Sequence, residues 1–372
     1  MKAIGIILAG GNNRMRMGGL STNRAIAAMP VACTYRSIDF TLSNMTNSGI
    51  GKVAVLTMYN AKSINEYLRS SKWWNFGRKN GGLYVFAPTL TSRNSWWYRG
   101  TADSIYQNIE WLKSSHEPYV VVASGDGIYK LDYSKVIDYH IEKEADITIV
   151  CTHVNDDPRR YGVISIDEEN RITELQEKPL EPDSNLISCG IYIFRRRMLI
   201  EMLEQCAAED KSDLVNDIIL RYIKRNKVFT YLHNDFWSSI SSTEKYYKTN
   251  MAFLDTEVRK YFFEEEPRIY TKIGDRPPAK FNENTDVRNS LVAAGCIVNG
   301  TVHDSLLFKS AYVGNRSVVK DSIIMNDVYI QDDVYLEKCI IESHSVIKSG
   351  SSYIGGEQVK VINEGEDIYE FT

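Results

Sequence analysis

No pair of cysteines is spaced as CxxC, no HExxH occurs, and no basic tract or long apolar run interrupts the chain. Each absence removes a class of protein. The six cysteines (Cys33, Cys151, Cys189, Cys206, Cys296, Cys339) are scattered, which argues for reduced thiols rather than a disulfide framework or a zinc site. The six histidines are equally dispersed. A formal charge of −4 leaves no electrostatic footprint for nucleic acid or for an anionic membrane. Arg195-Arg196-Arg197 is the densest basic run, and it reads as a solvated helix start. No apolar stretch has the length of a bilayer span, and the first residues lack the charged and apolar regions of a secretory signal. The expectation is a cytoplasmic protein with neither nucleic acid nor membrane as partner.

What is present is ordinary in bulk: 43% hydrophobic and 25% charged residues over 372 positions, enough for two domains. The first two-thirds alternates strand and helix patterns. Ile4–Leu8, Val53–Thr57, Tyr119–Ala123, Asp146–Cys151 and Gly190–Phe194 read as strands. The stretches near Ser37–Ser48, Lys62–Arg69, Thr101–Ser114 and Tyr133–Lys143 read as helices. This is an α/β pattern with a mostly parallel sheet, whose ligands bind at the carboxyl ends of the strands. The connector follows, around residues 255–280. Beyond it, apolar residues recur at steps of five or six: Ile297, Val302, Leu307, Val313, Val318, Ile323, Val328, Val334, Ile340, Val346. That spacing fits short strands coiling into a parallel β-helix, with an antiparallel sandwich of short strands as the alternative. The expected division is 1–254, 255–280 and 281–372. A solenoid has open ends to cover, so oligomerisation is expected too.

Leu8-Ala9-Gly10-Gly11 ends the first strand in a glycine turn that lets backbone N–H groups approach phosphates. Further on stand Tyr35-Arg36-Ser37-Ile38-Asp39-Phe40, Leu42-Ser43-Asn44 and Asn47-Ser48-Gly49-Ile50. Then come Tyr98-Arg99-Gly100-Thr101-Ala102-Asp103 with Gln107-Asn108, and Ser124-Gly125-Asp126 with Ile128-Tyr129-Lys130. Glu177-Lys178-Pro179, Ser188-Cys189-Gly190-Ile191-Tyr192 and Pro277-Pro278-Ala279-Lys280-Phe281 complete an ordered series across nearly the whole chain. In this order the motifs resemble the ADP-glucose pyrophosphorylase (glucose-1-phosphate adenylyltransferase) family.

The resemblance implies a Rossmann-like nucleotidyltransferase domain followed by a left-handed parallel β-helix. It implies a reaction that joins the α-phosphate of ATP to glucose 1-phosphate and releases pyrophosphate. Such chemistry asks for in-line alignment and for charge neutralisation by Mg²⁺ and basic side chains. By resemblance, Tyr98, Gly162, Glu177, Lys178 and Ser188 bind glucose 1-phosphate, with Lys178 on the phosphate and Glu177 on sugar hydroxyls. Without the other motifs, Glu177-Lys178 would read as an exposed pair before a turn proline. Leu8, Ala9, Gly10, Gly11, Gly100, Thr101 and Ala102 fall on nucleotide-binding positions, and Asp126 on a Mg²⁺ carboxylate.

The same resemblance exposes departures. Asn13 occupies a glycine position, and Arg14 or Arg16 is left to act as the phosphate arginine. Ile26 stands where the family has a lysine, with Ala27 where it has proline, and Ser239 where it has a second metal carboxylate. Asp235 and Glu244 are the acids near enough in sequence to replace that carboxylate. Met58 stands where glutamine is common. The departures gather at the nucleotide and metal end. In this they resemble the regulatory D-type subunit of a two-subunit assembly for glycogen synthesis, which pairs with a catalytic homologue. Two other readings stand beside it: a fully active enzyme with a compensated site, and a sugar-phosphate-binding sensor or scaffold. Whether ATP binds is left open.

Overall fold

The computed structural model describes residues 2–11, 17, 19–77, 81–89, 97–225 and 227–363. Two compact units emerge, Met1–Gly11 with Phe40–Trp237, and Asn12–Asp39 with Ser238–Thr372. Residues 12–39 and 238–254, contiguous in pattern with the α/β region, thus count with the second unit.

The first unit is built on a nine-stranded sheet. Its centre is Ala3–Leu8, flanked in parallel by Lys52–Leu56 and Tyr119–Ser124, with Gly82–Phe86 parallel beyond Lys52–Leu56. Ile4, Ile7, Val53, Val55 and Val120 through Ala123 are fully buried. Continuous apolar runs of this kind suit strands that are covered on both faces. Leu186–Arg195 runs antiparallel to Tyr119–Ser124 and to Ile147–His153, and Val228–Leu232 is parallel to Ile147–His153. Gly162–Ile166 and Ile172–Glu177 complete that side as an antiparallel pair.

Four of the expected helices form, with one change. Ser37–Asn47, Ala61–Leu68 and Tyr133–Glu142 lie where the periodicity puts them. The stretch Thr101–Ser114 breaks into Thr101–Tyr106 and Ile109–Lys113. Ile105, Ile109 and Leu112 still pack with Leu199, Met202 and Leu203 of helix Arg196–Ala208 on the sheet residues Ile4, Ile6 and Val122. The arginine run does open a helix, but it is not simply solvated. Arg195 Nε donates to the Ala145 carbonyl at 3.1 Å and Arg196 Nε to the Glu117 carbonyl at 2.8 Å.

The second unit contains three five-stranded sheets in which every pairing is parallel. This excludes the antiparallel sandwich and is consistent with a left-handed β-helix. One coil returns after 15 or 17 residues: Asn289 meets Asp304 and Ser305 meets Ser322 at those separations. Corners turn through left-handed backbone at Asn289, Asp304, Asp321, Asp327 and Asp333, residue types that tolerate that region. Inside, hydroxyls form a ladder. Ser290 Oγ accepts from Ser305 N, Ser305 Oγ from Ser322 N, and Ser322 Oγ from Cys339 N, at 3.0–3.2 Å. Buried polar backbone is thereby satisfied where the strands turn.

The five-or-six spacing found the coils but missed their phase at five places. Val298, Val319, Ile324, Ile341 and Ile347 belong to the solenoid core, while of their neighbours Ile297 is exposed and Val318 and Val346 are half-buried. Leu306, Ile323 and Ile340 are fully buried but on the outer face of the third sheet. Residues of the same unit tie down beside that face. Tyr247 donates to the Asp321 carbonyl at 2.7 Å, Cys33 Sγ to the Leu291 carbonyl at 3.5 Å, and Arg24 pairs with Glu342.

Candidate functional site

The carboxyl ends of the parallel strands gather the glycine turn and the metal-type carboxylate. Leu8 lies in register with Leu56 and Ser124. The Leu8 carbonyl accepts from Gly125 N at 3.0 Å, and Ala9 N donates to the Leu56 carbonyl at 2.8 Å. A Cβ on Gly10 would stand 3.4 Å from Cβ of Met58, whereas among the described residues nothing lies within 4 Å of a Cβ on Gly11. Asn13, Arg14 and Arg16 lie outside the described residues.

Asp126 follows the strand Tyr119–Ser124. The Ser124 hydroxyl donates to its Oδ1. Burial raises the Asp126 pKa, and the Ser124 hydrogen bond works against that rise. Among the described residues no group of three or more His, Cys, Asp or Glu could hold a metal ion. A lone carboxylate suits Mg²⁺, which commonly takes one or two carboxylates and completes its shell with water and substrate phosphates. The donor set at Asp126 fits that group only with a phosphate ligand.

On the sugar side the structure brings four of the expected residues together. Gly162 opens one strand, Glu177 closes its antiparallel neighbour, and the two are register partners. A Cβ on Gly162 would come within a tight 3.1 Å of Glu177 Oε2 and at ordinary contact, 3.7 Å, with Ser188 Cβ, so the three residues are neighbours and the glycine leaves room for the Glu177 carboxylate. Lys178 turns out of the strand with a left-handed φ of 51°. Its N–H donates to the Tyr161 carbonyl at 3.0 Å, and its ammonium pairs with Glu177. Both groups stay partly exposed, as an exposed pair before Pro179 also would.

Ser188 sits where the register of Leu186–Arg195 slips. Gly190, at φ 70°, donates its N–H to Ser188 Oγ at 3.2 Å, and the Ser188 hydroxyl lies 3.5 Å from that of Tyr192. Tyr192 is buried, and burial raises its pKa; the charges of Glu177 and Asp213 add to that effect. Tyr98 is buried too, and Asn108 Nδ2 donates to its hydroxyl at 3.0 Å.

Gly100, Thr101 and Ala102 stand at the start of helix Thr101–Tyr106. A Cβ on Gly100 would meet the Ser212 carbonyl at 2.5 Å. The Thr101 hydroxyl donates to Asp213 Oδ2 at 3.3 Å and accepts from Leu214 N at 2.8 Å. Ala102 belongs to the main hydrophobic core.

Of the departures on described residues, Met58 lies half-buried in the first unit, and Ile26, Ala27 and Ser239 lie in the second. Ile26 opens a short 3-10 turn, Ile26–Ala28, that is buried throughout, and its carbonyl accepts from Ser37 Oγ at 3.0 Å. Ser239 is buried as well, with its hydroxyl 3.4 Å from that of Ser241. Asp235 is exposed and Glu244 lies 4.0 Å from Lys248.

Sequence reasoning assigned no role to Asn108 or Tyr192, although both stand inside quoted motifs. The signal was available for Asn108: an amide in the middle of an amphipathic helix pattern. Tyr192 carried none, since an aromatic in a buried strand reads as core.

A glycine turn at the carboxyl edge of a parallel sheet, followed by a hexapeptide solenoid, defines a nucleotidyl transferase class of protein. Residues 4–256 match the family model described as nucleotidyl transferase, and residues 277–361 match that of the GlmU-like, C-terminal hexapeptide. A glucose-1-phosphate adenylyltransferase of Geobacillus stearothermophilus is 40% identical over 323 residues, 86% of this chain and 83% of the relative. One from Bacillus mycoides is 38% identical over 354 residues, 94% of each chain. A third, from Thermosipho africanus, is 39% identical over 320 residues, 85% of this chain and 77% of the relative. The chain belongs to the glucose-1-phosphate adenylyltransferase family.

Proposed function

We propose that this chain is a regulatory subunit of a glucose-1-phosphate adenylyltransferase, with little or no activity alone. It pairs with a catalytic homologue as a hetero-oligomer and modulates ADP-glucose synthesis for glycogen in the cytoplasm. The observation that carries this reading is an imbalance. Gly162, Glu177, Lys178 and Ser188 stand together, which supports a sugar-phosphate pocket, while Ile26 and Ser239 put buried, uncharged groups where the resemblance implies a lysine and an aspartate. In the pocket, Lys178 neutralises the phosphate of glucose 1-phosphate and Glu177 accepts from sugar hydroxyls. Asp126 would hold Mg²⁺ together with nucleotide phosphates, and the ion would neutralise charge there. No described helix is long and apolar enough to cross a membrane.

The test is pyrophosphate release from ATP and glucose 1-phosphate with Mg²⁺, for the chain alone and mixed with a catalytic homologue. Near-silence alone, with an altered rate or affinity in the mixture, is expected. Robust turnover alone would replace the proposal with a fully active enzyme. Ser239→Asp with Ile26→Lys is expected to raise the chain's own rate at least about tenfold, a barrier change of about 1.4 kcal/mol.

A further inference from the structure

The break in the helical stretch after Tyr106 has a chemical counterpart. Asn108 leaves helical geometry at φ −108° and ψ 21°. Its amide nitrogen reaches two acceptors, the Ser104 carbonyl at 2.9 Å and the Tyr98 hydroxyl at 3.0 Å. The carbonyl contact settles which end of the amide is which, because a carbonyl oxygen accepts only from an N–H. The atom facing Tyr98 is therefore a donor. A phenol oxygen that accepts from Asn108 directs its own hydrogen elsewhere.

We propose that Asn108 is a positioning residue that holds the Tyr98 hydroxyl as a hydrogen-bond donor toward an oxygen of glucose 1-phosphate. The inference rests on the sugar-phosphate reading of Tyr98 given above. The Tyr98 ring is buried with only 7% of its surface exposed. It cannot swing freely to find a ligand, so its hydroxyl orientation must be set by a neighbour. Asn108 is fixed in turn. Its N–H donates to the Ile105 carbonyl at 3.0 Å, and its carbonyl accepts from Trp111 N at 3.1 Å.

The experiment measures glucose 1-phosphate binding to the full chain by calorimetry for the parent, Tyr98→Phe, Asn108→Asp and the double variant. An aspartate at 108 accepts instead of donating, so the Tyr98 hydrogen turns to it and away from the ligand. Each single variant is expected to bind about tenfold more weakly, the scale of one hydrogen bond. The double variant is expected to be no weaker than Tyr98→Phe. Parent-like binding by Asn108→Asp overturns the proposal, as does a double variant whose loss is the product of the single losses. Parent-like binding by Tyr98→Phe would instead overturn the sugar-phosphate role of Tyr98, and this inference with it. Should Asn108→Asp not fold, Asn108→Ala in ¹³C-tyrosine-labelled protein reads the contact directly. The Tyr98 Cζ resonance, identified by its loss in Tyr98→Phe, is expected to move, and an unmoved signal overturns the proposal.

Discussion

The two units spend their polar groups differently. In the first, Glu177, Lys178 and Asp126 stand at strand ends, partly exposed and held by neighbours that orient them. In the second, serine hydroxyls bridge successive coils and Arg24 is engaged by Glu342, so polar atoms serve the fold itself. Ile26 and Ser239 belong to this second pattern: buried, uncharged and satisfied locally. Burial of an ion is costly unless it is paired. A position that has become part of a packed interior therefore gives up charge, and with it the ability to neutralise a phosphate. Under the proposed regulatory role, the loss of a charged group at Ile26 and Ser239 and their interior packing are one event.

The largest effect that would sharpen this contrast is a purely structural one in the solenoid. A Cβ on Gly300 would fall 2.3 Å from the Ser317 carbonyl and 2.8 Å from that of Gly314. Backbone cannot give way as a side-chain tip does. Gly300→Ala is expected to lower stability by about 3 kcal/mol, at the upper end for overpacking, while glucose 1-phosphate affinity measured by calorimetry on the folded fraction stays at the parent value. A loss of affinity in that variant would break the separation of roles.

Next comes a pH effect confined to the first unit. His140 is 1% exposed, bonded to Thr148 at 2.8 Å, and packed edge-on to Tyr119. Burial, aided by the positive charge of Arg195, pushes its pKa down from 6.5 to about 4. The folded protein thus keeps this imidazole neutral between pH 4 and 6.5, where the unfolded chain binds a proton. Stability from this group is complete above pH 6.5 and is lost as pH falls toward 4, by about 3 kcal/mol in all. Urea unfolding across that window should show the slope, and His140→Asn should flatten it.

The smallest expected effect is on binding. Lys178→Ala should weaken glucose 1-phosphate by about thirtyfold, the scale of a charge-assisted hydrogen bond of about 2 kcal/mol. Its ammonium is half exposed, so the melting temperature should hardly move. Unchanged affinity would return Glu177-Lys178 to an exposed pair before a proline and remove one side of the comparison.

Periodicity alone determined the central strands, three helices nearly to their ends, and the presence of a coiled solenoid. These features depend on local apolar spacing, which composition writes directly into the chain. The ordered motifs likewise led to Gly162, Glu177, Lys178 and Ser188 before any coordinates. Tertiary structure alone decided the rest. The inward phase at Val298, Val319, Ile324, Ile341 and Ile347 was illegible because each strand there carries two adjacent apolar residues, Ile297-Val298, Val318-Val319, Ile323-Ile324, Ile340-Ile341 and Val346-Ile347. Alternation cannot choose between neighbours that are both hydrophobic; the corner geometry does. Asn108 bonds to a phenol ten residues back, and Gly162 meets Glu177 through a strand pairing fifteen residues on. Contacts between distant positions leave no periodic trace, so only the folded chain could set them.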